Sequence, residues 1–256
     1  MKMVIGIAGI AGRMGSVLVE EVAAAGAKLA GGIDRPGVAA PEGVTLFPDI
    51  SALAAACDVV LEFTHASTVI PHARAIAASG TAWVLGTTGL GPADEAAVAE
   101  AAKSAVVVHA ANFAPGVNLV LALAERMAAA LPADQYDAEI LEMHHRQKVD
   151  APSGTAVFMG RAVARGRGVN LDEVKESGRD GHTGARRPGA IGFAAIRGGQ
   201  VVGEHTLLFA SAAEHISLTH RAFDRRAFAT GAVRAALWTE GREPGLYSMM
   251  DVLGMR

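Results

Sequence analysis

Cysteine is almost absent from this sequence. Cys57 is the single cysteine among 256 residues, so neither an intrachain disulfide nor a cysteine-based zinc site can form. We interpret Cys57 as a core residue, because a free cysteine behaves as a small hydrophobic side chain. This low cysteine usage fits a reducing compartment, and we expect a cytoplasmic protein.

Long apolar runs and an excess of positive charge are absent as well. No apolar run reaches the roughly 18 residues that a membrane span requires, so we expect no membrane association. Lysine and arginine number 23 against 26 acidic residues, and the net charge of −3 argues against a nucleic-acid partner, which would need a broad basic face. The 51% of hydrophobic and 19% of charged residues are typical of a globular protein.

Histidine is comparatively plentiful, with nine residues, but its spacing does not indicate a metal site. There is no His-x-x-x-His pair on a predicted helix and no convergent set of carboxylates, so we predict that no metal ion is bound. Outside the pair His144-His145, we interpret the histidines as scattered packing or surface residues, namely His65, His72, His109, His182, His205, His215 and His220.

A glycine-rich turn lies between the first predicted strand, residues 2–8, and the first predicted helix. Gly9, Gly12 and Gly15 have the spacing G-x-x-G-x-x-G, a form of the dinucleotide-binding fingerprint. Its glycines allow a tight turn and a close approach of the pyrophosphate, which the start of the helix attracts. A tight turn without a ligand would give the same pattern. However, a second predicted strand, residues 28–33, ends at Asp34, the spacing expected for the acid that binds the ribose.

The pair Asp34-Arg35 bears on the choice of cofactor. A carboxylate accepts hydrogen bonds from the ribose hydroxyls of NAD, whereas a guanidinium pairs with the 2′-phosphate of NADP. We therefore expect both NADH and NADPH to bind. The other interpretation is a simple turn at the end of a strand, with the sequence Asp-Arg-Pro-Gly.

Apolar segments alternate with helical patterns through the rest of the first half. We predict strands at residues 44–47, 58–63, 82–86 and 105–109, and helices at 67–79, 92–103 and 115–131. This alternation predicts an α/β fold with a Rossmann-type doubly wound parallel sheet. Because ligands bind beyond the carboxyl ends of the strands in such sheets, residues 62–64, 86–89 and 110–115 are candidates for a ligand site.

The most distinctive run of the chain is residues 142–155, Glu-Met-His-His-Arg-Gln-Lys-Val-Asp-Ala-Pro-Ser-Gly-Thr. Two imidazoles, a guanidinium and an ammonium within five residues suit a small anionic substrate. We predict a strand before this run, at 136–143, and a helix after it with Ser153 as N-cap. The N–H groups of Gly154 and Thr155 could then bind a carboxylate, helped by the partial positive charge of the helix start. A basic loop between strand and helix is the alternative.

This run closely resembles the signature of the 4-hydroxy-tetrahydrodipicolinate reductase (dihydrodipicolinate reductase) family. The motif Glu-x-x-His-His-x-x-Lys-x-Asp-Ala-Pro-Ser-Gly-Thr-Ala extends from Glu142 to Ala156, and the resemblance covers essentially the whole chain. It implies reduction of 4-hydroxy-tetrahydrodipicolinate, or of the dihydrodipicolinate formed by its dehydration, to tetrahydrodipicolinate with NADH or NADPH. That reaction belongs to diaminopimelate and lysine biosynthesis.

The resemblance also implies roles for individual residues. His144 is the proton donor or acceptor and Lys148 the proton donor, and the sequence leaves the division between them open. The substrate-binding residues are His145, Ser153, Gly154 and Thr155. The cofactor-binding residues are Gly9, Ile10, Ala11, Gly12, Arg13, Met14, Asp34, Arg35, Gly86, Thr87, Thr88, Ala110, Ala111, Asn112 and Phe113. Two positions depart from the family pattern, because Glu62 stands where aspartate is usual and Asp34 where glutamate is frequent.

The pattern changes in the second half, where residues 190–197, 200–209 and 214–221 are predicted strands separated by short turns, as in a meander of hairpins. With the strand at 136–143 they would form a mixed or antiparallel sheet that the helix from Ser153 covers on one face. The glycine- and arginine-rich loop at 176–189 resembles a family loop that contributes to oligomer contacts. A last predicted helix runs from Asp224, its cap, to Trp238.

These elements predict two domains. Residues 1–114 and 224–256 would form the dinucleotide-binding domain, and residues 115–223 a smaller α+β domain that binds substrate and forms the oligomer. The resemblance implies a homotetramer with the sheets of the smaller domain at its centre. We expect one apolar sheet face that needs a cover, formed by Phe193, Ile196, Val202, Leu208, Ile216 and Leu218.

Two other functions remain open at the level of sequence. A different two-domain dehydrogenase, acting on homoserine or an amino acid, would share the first half but should lack the run at 142–155. A non-catalytic NAD(P)-binding sensor would keep the glycine turn and lose the proton donors. The intact central run disfavours both.

Overall fold

A computed structural model describes residues 2–224 and 226–255. In chain order its strands are β1 (Val4–Ala8), β2 (Lys28–Ile33), β3 (Val59–Glu62), β4 (Ala82–Leu85), β5 (Val106–His109), β6 (Asp137–His144), β7 (Lys175–Ser177), β8 (Ile191–Arg197), β9 (Gly203–Ala210), β10 (His215–Ala222) and β11 (Gly245–Tyr247). Its α-helices are α1 (Arg13–Ala24), α2 (Ile50–Ala55), α3 (Val69–Ser79), α4 (Pro92–Ala101), α5 (Pro115–Ala130), α6 (Gly154–Gly166), α7 (Leu171–Val174), α8 (Arg226–Trp238) and α9 (Met249–Val252), and a 3₁₀ turn spans Ala66–Thr68.

The chain divides into two compact units. Met1–Pro115 and Arg226–Arg256 form the first unit, and Gly116–Arg225 forms the second. The chain therefore leaves the first unit once and returns to it. No helix within residues 2–224 and 226–255 is both long and apolar enough to cross a membrane.

The first unit is built on a six-stranded sheet with the order β11-β5-β4-β3-β1-β2, in which all pairs are parallel. Residues of its strands alternate between two cores. Ile7 and Leu61 pack with α1 and α8 on one face, whereas Val60 and Trp83 pack with α2, α3 and α4 on the other. Helices on both faces explain why β3 is buried along its whole length, and the predicted doubly wound fold is confirmed.

One predicted strand of this sheet is wrong, and one strand was not predicted. Residues 44–47 form no strand, because only Leu46 makes an isolated bridge to Gly32, and Pro41 and Pro48 confine the apolar segment between them. The sixth strand is instead β11, which pairs with β5 although it lies far along the chain. The three residues of β11, Gly-Leu-Tyr, are too few to give a periodic signal from which a strand could be predicted.

The second unit contains a mixed sheet with the order β10-β9-β6-β8-β7. Strand β6 lies at its centre, antiparallel to β9 and parallel to β8. The prediction of a mixed or antiparallel sheet is confirmed, and β9 and β10 form the expected hairpin. The predicted hairpin between β8 and β9 is wrong, because β6 lies between them. Gly198 N–H instead donates to His144 O at 2.9 Å, which joins the connection to the end of β6.

Helices α5 and α6 cover one face of this sheet. Alternate residues of β6 (Ala138, Ile140, Glu142 and His144) are buried beneath them, while Leu141, which points the other way, is 43% exposed. The residues that were predicted to form one apolar face lie on both faces of the sheet. Phe193, Ile216 and Leu218 belong to the covered core, whereas Ile196 and Leu208 lie in register with the opposite face. Val202 precedes β9. Register between strands, which decides the face, is not visible in any one strand.

Candidate active site

The glycine turn places the start of α1 at the carboxyl end of β1. Gly9 has φ of 84°, which favours glycine, and its N–H donates to Ile33 O at 2.9 Å. Gly12 is the N-cap of α1 and has no side chain that could accept from the helix. No side chain of the N-cap occupies the first N–H groups of α1, and such a helix start suits an anionic ligand.

Asp34 and Arg35 border this turn in different ways. The Asp34 carboxylate accepts from the N–H groups of Ala11 and Arg35, each at 2.8 Å, and so holds the glycine turn to the end of β2. The Arg35 side chain is 89% exposed, and its Nε is 4.0 Å from Asp34. The carboxylate is thus fixed, while the guanidinium extends into solvent beside it.

A cavity of about 670 Å³ opens at this point, between the glycine turn with Asp34 and Arg35 on one side and the loop after β3 on the other. A cavity of this size is in the range of small-molecule and cofactor sites. The glycine turn, the fixed carboxylate and the cavity together fit the phosphate and ribose parts of a dinucleotide.

Glu62, at the end of β3, organises the loop that forms the second wall of this cavity. Its carboxylate is fully buried and accepts from Trp83 Nε1 at 2.9 Å and from Thr64 Oγ1 at 2.6 Å, and His72 Nδ1 lies 2.9 Å from it. From the sequence, Glu62 was a departure from a family pattern and the first residue of a candidate ligand segment, with no structural role assigned to it. A carboxylate at the end of a fully apolar strand was the signal that it has a structural role. His72 is likewise part of this cluster and not a scattered residue.

The three predicted strand-end segments meet at the same edge of the sheet. Thr64 N–H donates to Thr87 Oγ1 at 3.1 Å, and the rings of Phe63 and Phe113 are in edge contact at 5.7 Å. Thr88 and Ala111 are exposed. Ile10 and Phe113 are buried in the core, so of these two residues only the backbone is available to a ligand.

A second polar cluster lies in the second unit, at the end of β6. Glu142 and His144 are two residues apart on the strand and therefore point to the same, covered face. His144 Nδ1 lies 2.6 Å from Glu142 Oε2. Arg197, which pairs with His144 in the β6–β8 register, donates from Nη1 to Oε2 and from Nη2 to Oε1 of Glu142, both at 2.8 Å.

The cluster continues to the start of α6. Ser153 N–H donates to Glu142 Oε1 at 3.1 Å, and Ser153 Oγ accepts from Ala156 N–H as the N-cap of the helix. Ser153 Oγ is also 2.8 Å from His205 Nε2, and the His205 ring meets the His144 ring edge-on at 5.0 Å. The interpretation of His205 as a scattered residue is wrong, because it pairs with Glu142 in the β6–β9 register.

The charges of this cluster are unequal in their effects. Burial opposes ionisation of Glu142, but the hydrogen bonds from Arg197 and His144 together outweigh it and hold the pKa of Glu142 below its usual range. Burial lowers the pKa of His144, against the raising effect of Glu142. Burial and the neighbouring His144 lower the pKa of His205 to about 4. At neutral pH both imidazoles are therefore neutral beside an ionised carboxylate.

The loop between β6 and α6 carries the remaining predicted residues. Lys148 Nζ pairs with Asp150 at 2.8 Å, and the hydrogen bond with Lys148 lowers the pKa of Asp150. Arg197 Nη2 also donates to Asp150 O at 2.7 Å, which ties this loop to Glu142. His145 lies just beyond the strand, and its buried Nδ1 has no hydrogen-bond partner within the part of the chain that the structure describes. Gly154 has open space where a side chain would stand.

The structure thus adds Glu142, Arg197 and His205 to the residues that sequence reasoning assigned to this site. Glu142 could have been found from its i, i+2 spacing to His144, which places both side chains on the same face of the strand as Ala138 and Ile140. Arg197 and His205 could not, because only the strand register brings them to the site. Within residues 2–224 and 226–255, no group of three or more histidine, cysteine or acidic side chains could hold a metal ion.

Two protein-family models match this chain, one in each of its two units. The model described as dihydrodipicolinate reductase, N-terminus, matches residues 3–113, and the model described as dihydrodipicolinate reductase, C-terminus, matches residues 116–253. The chain belongs to the dihydrodipicolinate reductase family. Members of this family are oxidoreductases of diaminopimelate and lysine biosynthesis that use NADH or NADPH, and the predicted family is confirmed.

Individual relatives agree with this family. The chain is 70% identical to 4-hydroxy-tetrahydrodipicolinate reductase of Granulibacter bethesdensis over 254 residues. This alignment covers 98% of this chain and 97% of the relative. The protein of the same name from Acidiphilium cryptum is 64% identical over 251 residues, with 98% and 97% covered.

Solved structures show the same fold. The dipicolinate-bound dihydrodipicolinate reductase from Paenisporosarcina sp. TG-14 has a TM-score of 0.79 at 24% identity, covering 98% of this chain and 99% of that one. Aspartate dehydrogenase from Thermotoga maritima has a TM-score of 0.53 at 13% identity, covering 95% and 99%. At these identities the likeness shows a shared fold.

Proposed function

We propose that this chain reduces 4-hydroxy-tetrahydrodipicolinate, or the dihydrodipicolinate formed by its dehydration, to tetrahydrodipicolinate at the site around His144. The observation that carries this proposal is that His144 and the start of α6 both contact the buried carboxylate of Glu142, to which Arg197 ties the Lys148 loop, in a member of the dihydrodipicolinate reductase family. The dipicolinate-bound relative supports a small dicarboxylate as the substrate.

The first unit is the proposed dinucleotide-binding domain, comprising residues 1–114 and 224–256. The bound NADH or NADPH supplies the hydride. Residues 9–14 would receive the pyrophosphate at the start of α1, Asp34 the ribose hydroxyls and Arg35 a 2′-phosphate. Residues 86–88 and 110–113, at the ends of β4 and β5, would border the nicotinamide.

The second unit, residues 115–223, would bind the substrate and supply the proton that the reduction consumes. His144 is neutral at pH 7 and is suited to accept or relay a proton, and we assign the donation to Lys148, whose ammonium lies close enough for its charge to lower the pKa of His144. The substrate carboxylates would be bound by His145, Ser153, Gly154 and Thr155, at the positive end of α6.

We further propose a cytoplasmic homotetramer. The face of the second sheet opposite α6 carries Leu141 and Ile196, which are 43% and 44% exposed, and neighbouring copies would cover it. The low cysteine usage supports the location.

A direct assay tests the proposed reaction. The product of dihydrodipicolinate synthase is added to the protein with NADH and, separately, with NADPH, and cofactor oxidation is followed by absorbance. We expect oxidation that depends on both the protein and the synthase product. The proposal is wrong if neither cofactor is oxidised by a folded protein.

A further inference from the structure

The hydrogen bonds at Glu142 account for every acceptor position of its carboxylate. Oε2 accepts hydrogen bonds from His144 Nδ1 and Arg197 Nη1, and Oε1 accepts hydrogen bonds from Arg197 Nη2 and Ser153 N–H. Two donors at each oxygen, of which the Arg197 fork supplies one each, fix the carboxylate plane as well as its charge. No rotation of Glu142 is possible without breaking at least two of these bonds.

This geometry decides which nitrogen of His144 carries the proton. An ionised carboxylate only accepts hydrogen bonds, so Nδ1 must be the protonated nitrogen. In the neutral ring Nε2 then has the free electron pair. Among the described residues, the hydrogen bond at Nδ1 is the only one that the His144 ring makes. A side chain on Gly203 would begin 3.0 Å from Nε2, so the glycine at this position keeps the space beside that nitrogen open.

We propose that Glu142, clamped by Arg197, is a positioning residue that holds His144 as the Nδ1-protonated tautomer and so presents Nε2 as the atom that exchanges a proton during the reduction. This inference rests on the proposed function. Glu142 would not touch the substrate. It acts through His144, and through Ser153 and Arg197 it aligns the start of α6 and the Lys148 loop with the same ring.

Burial makes the orientation effective. The Glu142 side chain is fully buried and that of His144 is 10% exposed, so water does not compete for Nδ1 as it would at the surface. Without the carboxylate, the ring could rotate or adopt the other tautomer, and Nε2 would no longer be an acceptor.

Several charged and titratable groups face His144 and must be considered in any pH measurement. They are Glu142 on β6, Lys148 in the following loop, Arg197 on β8 and His205 on β9. Asp150 is paired with Lys148, and His220 on β10 acts on His205. The N-cap of α6, Ser153, is neutral. Glu142 raises the pKa of His144, whereas Arg197 and Lys148 lower it.

The wild-type protein supplies a test that needs no substitution. Nitrogen NMR of histidine-labelled protein at neutral pH distinguishes a protonated from an unprotonated ring nitrogen, with His144→Gln used to assign the signal. We expect His144 to have a protonated Nδ1 and an unprotonated Nε2. A His144 ring protonated at Nε2 alone would overturn the proposal, whatever the activity of the protein.

Two substitutions with opposite charge effects separate positioning from a merely structural role. Glu142→Gln removes the negative charge, so the acidic limb of the kcat/KM profile that reports His144 should move to lower pH by about one unit. Arg197→Met removes a positive charge, and the same limb should move to higher pH. We expect kcat of Glu142→Gln to fall at least about tenfold, part of the usual contribution of acid–base catalysis, while KM for NADH changes less than twofold.

Glu139→Gln is the matched control. Glu139 is on the same strand and also lies in an arginine fork, with Arg179 and Arg186, but on the opposite face of the sheet from His144. Its substitution should leave the limb in place. Circular dichroism verifies the fold of each variant. The positioning role is wrong if the wild-type protein turns over substrate but the acidic limb moves in the same direction in Glu142→Gln and Arg197→Met, or moves in neither variant. If the wild-type protein is inactive, the proposed function fails. The NMR measurement of the His144 tautomer then still tests whether Glu142 holds the ring with Nδ1 protonated.

Discussion

At the proposed cofactor site, the Asp34 side chain is fixed by hydrogen bonds from the backbone. Asp34 accepts from the N–H groups of Ala11 and Arg35, so it is part of the glycine turn itself. Arg35 is almost fully exposed and makes no comparable contact. The sequence spacing predicted the acid at this place correctly. It could not indicate that Asp34 also stabilises the turn, because that requires the position of Ala11.

This difference separates the determinants of the two cofactors. Arg35→Ala should weaken binding of NADPH more than that of NADH, by roughly 1.5–3 kcal/mol, the range for a hydrogen bond to a charged group. Asp34→Ala should weaken NADH more, together with some loss for NADPH because the turn loosens. Fluorescence titration with each cofactor measures both. Equal losses for the two cofactors on Arg35→Ala would contradict the assignment.

Strands and helices of the second unit show what local pattern predicts and what it does not. The boundaries of β6 were predicted within one residue and the start of α6 with its N-cap at Ser153 was predicted correctly, because alternation and capping are local properties. The pairing of β8 with β6 was not predicted, since residues 198–199 resemble a hairpin turn. Arg197 and His205 reach the site only through this register, so these two members of the cluster could not be predicted from the sequence.

The start of α6 has both a structural and a binding role. Ser153→Ala removes the N-cap and the contact with His205, and we expect a loss of about 1 kcal/mol in the free energy of unfolding together with a higher KM for the substrate. Ser248→Ala, at the N-cap of α9 in the first unit, is the control. It should cost a similar stability without changing that KM, as urea unfolding and steady-state kinetics would measure. An unchanged KM in Ser153→Ala would exclude the binding role.

The buried His205 on β9 predicts how the stability of the protein depends on pH. Burial lowers the pKa of His205 from 6.5 to about 4, so between these values the unfolded chain takes up a proton that the folded protein does not. The free energy of unfolding should therefore fall as pH drops from 7 to 4, by up to about 3 kcal/mol from this residue. Urea midpoints measured across this range test the slope.

His205→Gln should flatten that dependence on pH, whereas His215→Gln, at an exposed position of β10, should leave it unchanged. A wild-type midpoint that stays constant from pH 7 to 4.5 would contradict the neutral, buried state of His205.

For the whole molecule, the alternation of strands and helices was sufficient to predict the doubly wound sheet, and the resemblance of the run from Glu142 to Ala156 to a family signature predicted the family. The proposed assembly concerns a sheet face that was predicted wrongly from the sequence, because the apolar residues of two faces were assigned to one. The open face contains Leu141 and Ile196, next to Met143, which pairs with Ile196 across β6 and β8.

If copies of the chain meet at this face, a charge placed there should prevent assembly. We expect light scattering to give a tetramer for the wild-type protein at micromolar concentration and smaller species for Leu141→Lys. Leu246→Lys, at an exposed position in the first unit, should remain tetrameric. A monomeric wild-type protein would rule out the proposed assembly.

The comparison of His144→Gln with His145→Gln in the reductase assay tests the proposed active site most directly. His144 ends β6 on the covered face against Glu142, whereas His145 lies beyond the strand, so their substitutions should have different effects. We predict that His144→Gln mainly lowers kcat and that His145→Gln mainly raises KM for the substrate, with NADH binding intact in both. Full kcat in a folded His144→Gln variant would contradict the assignment of this cluster as the site of reduction.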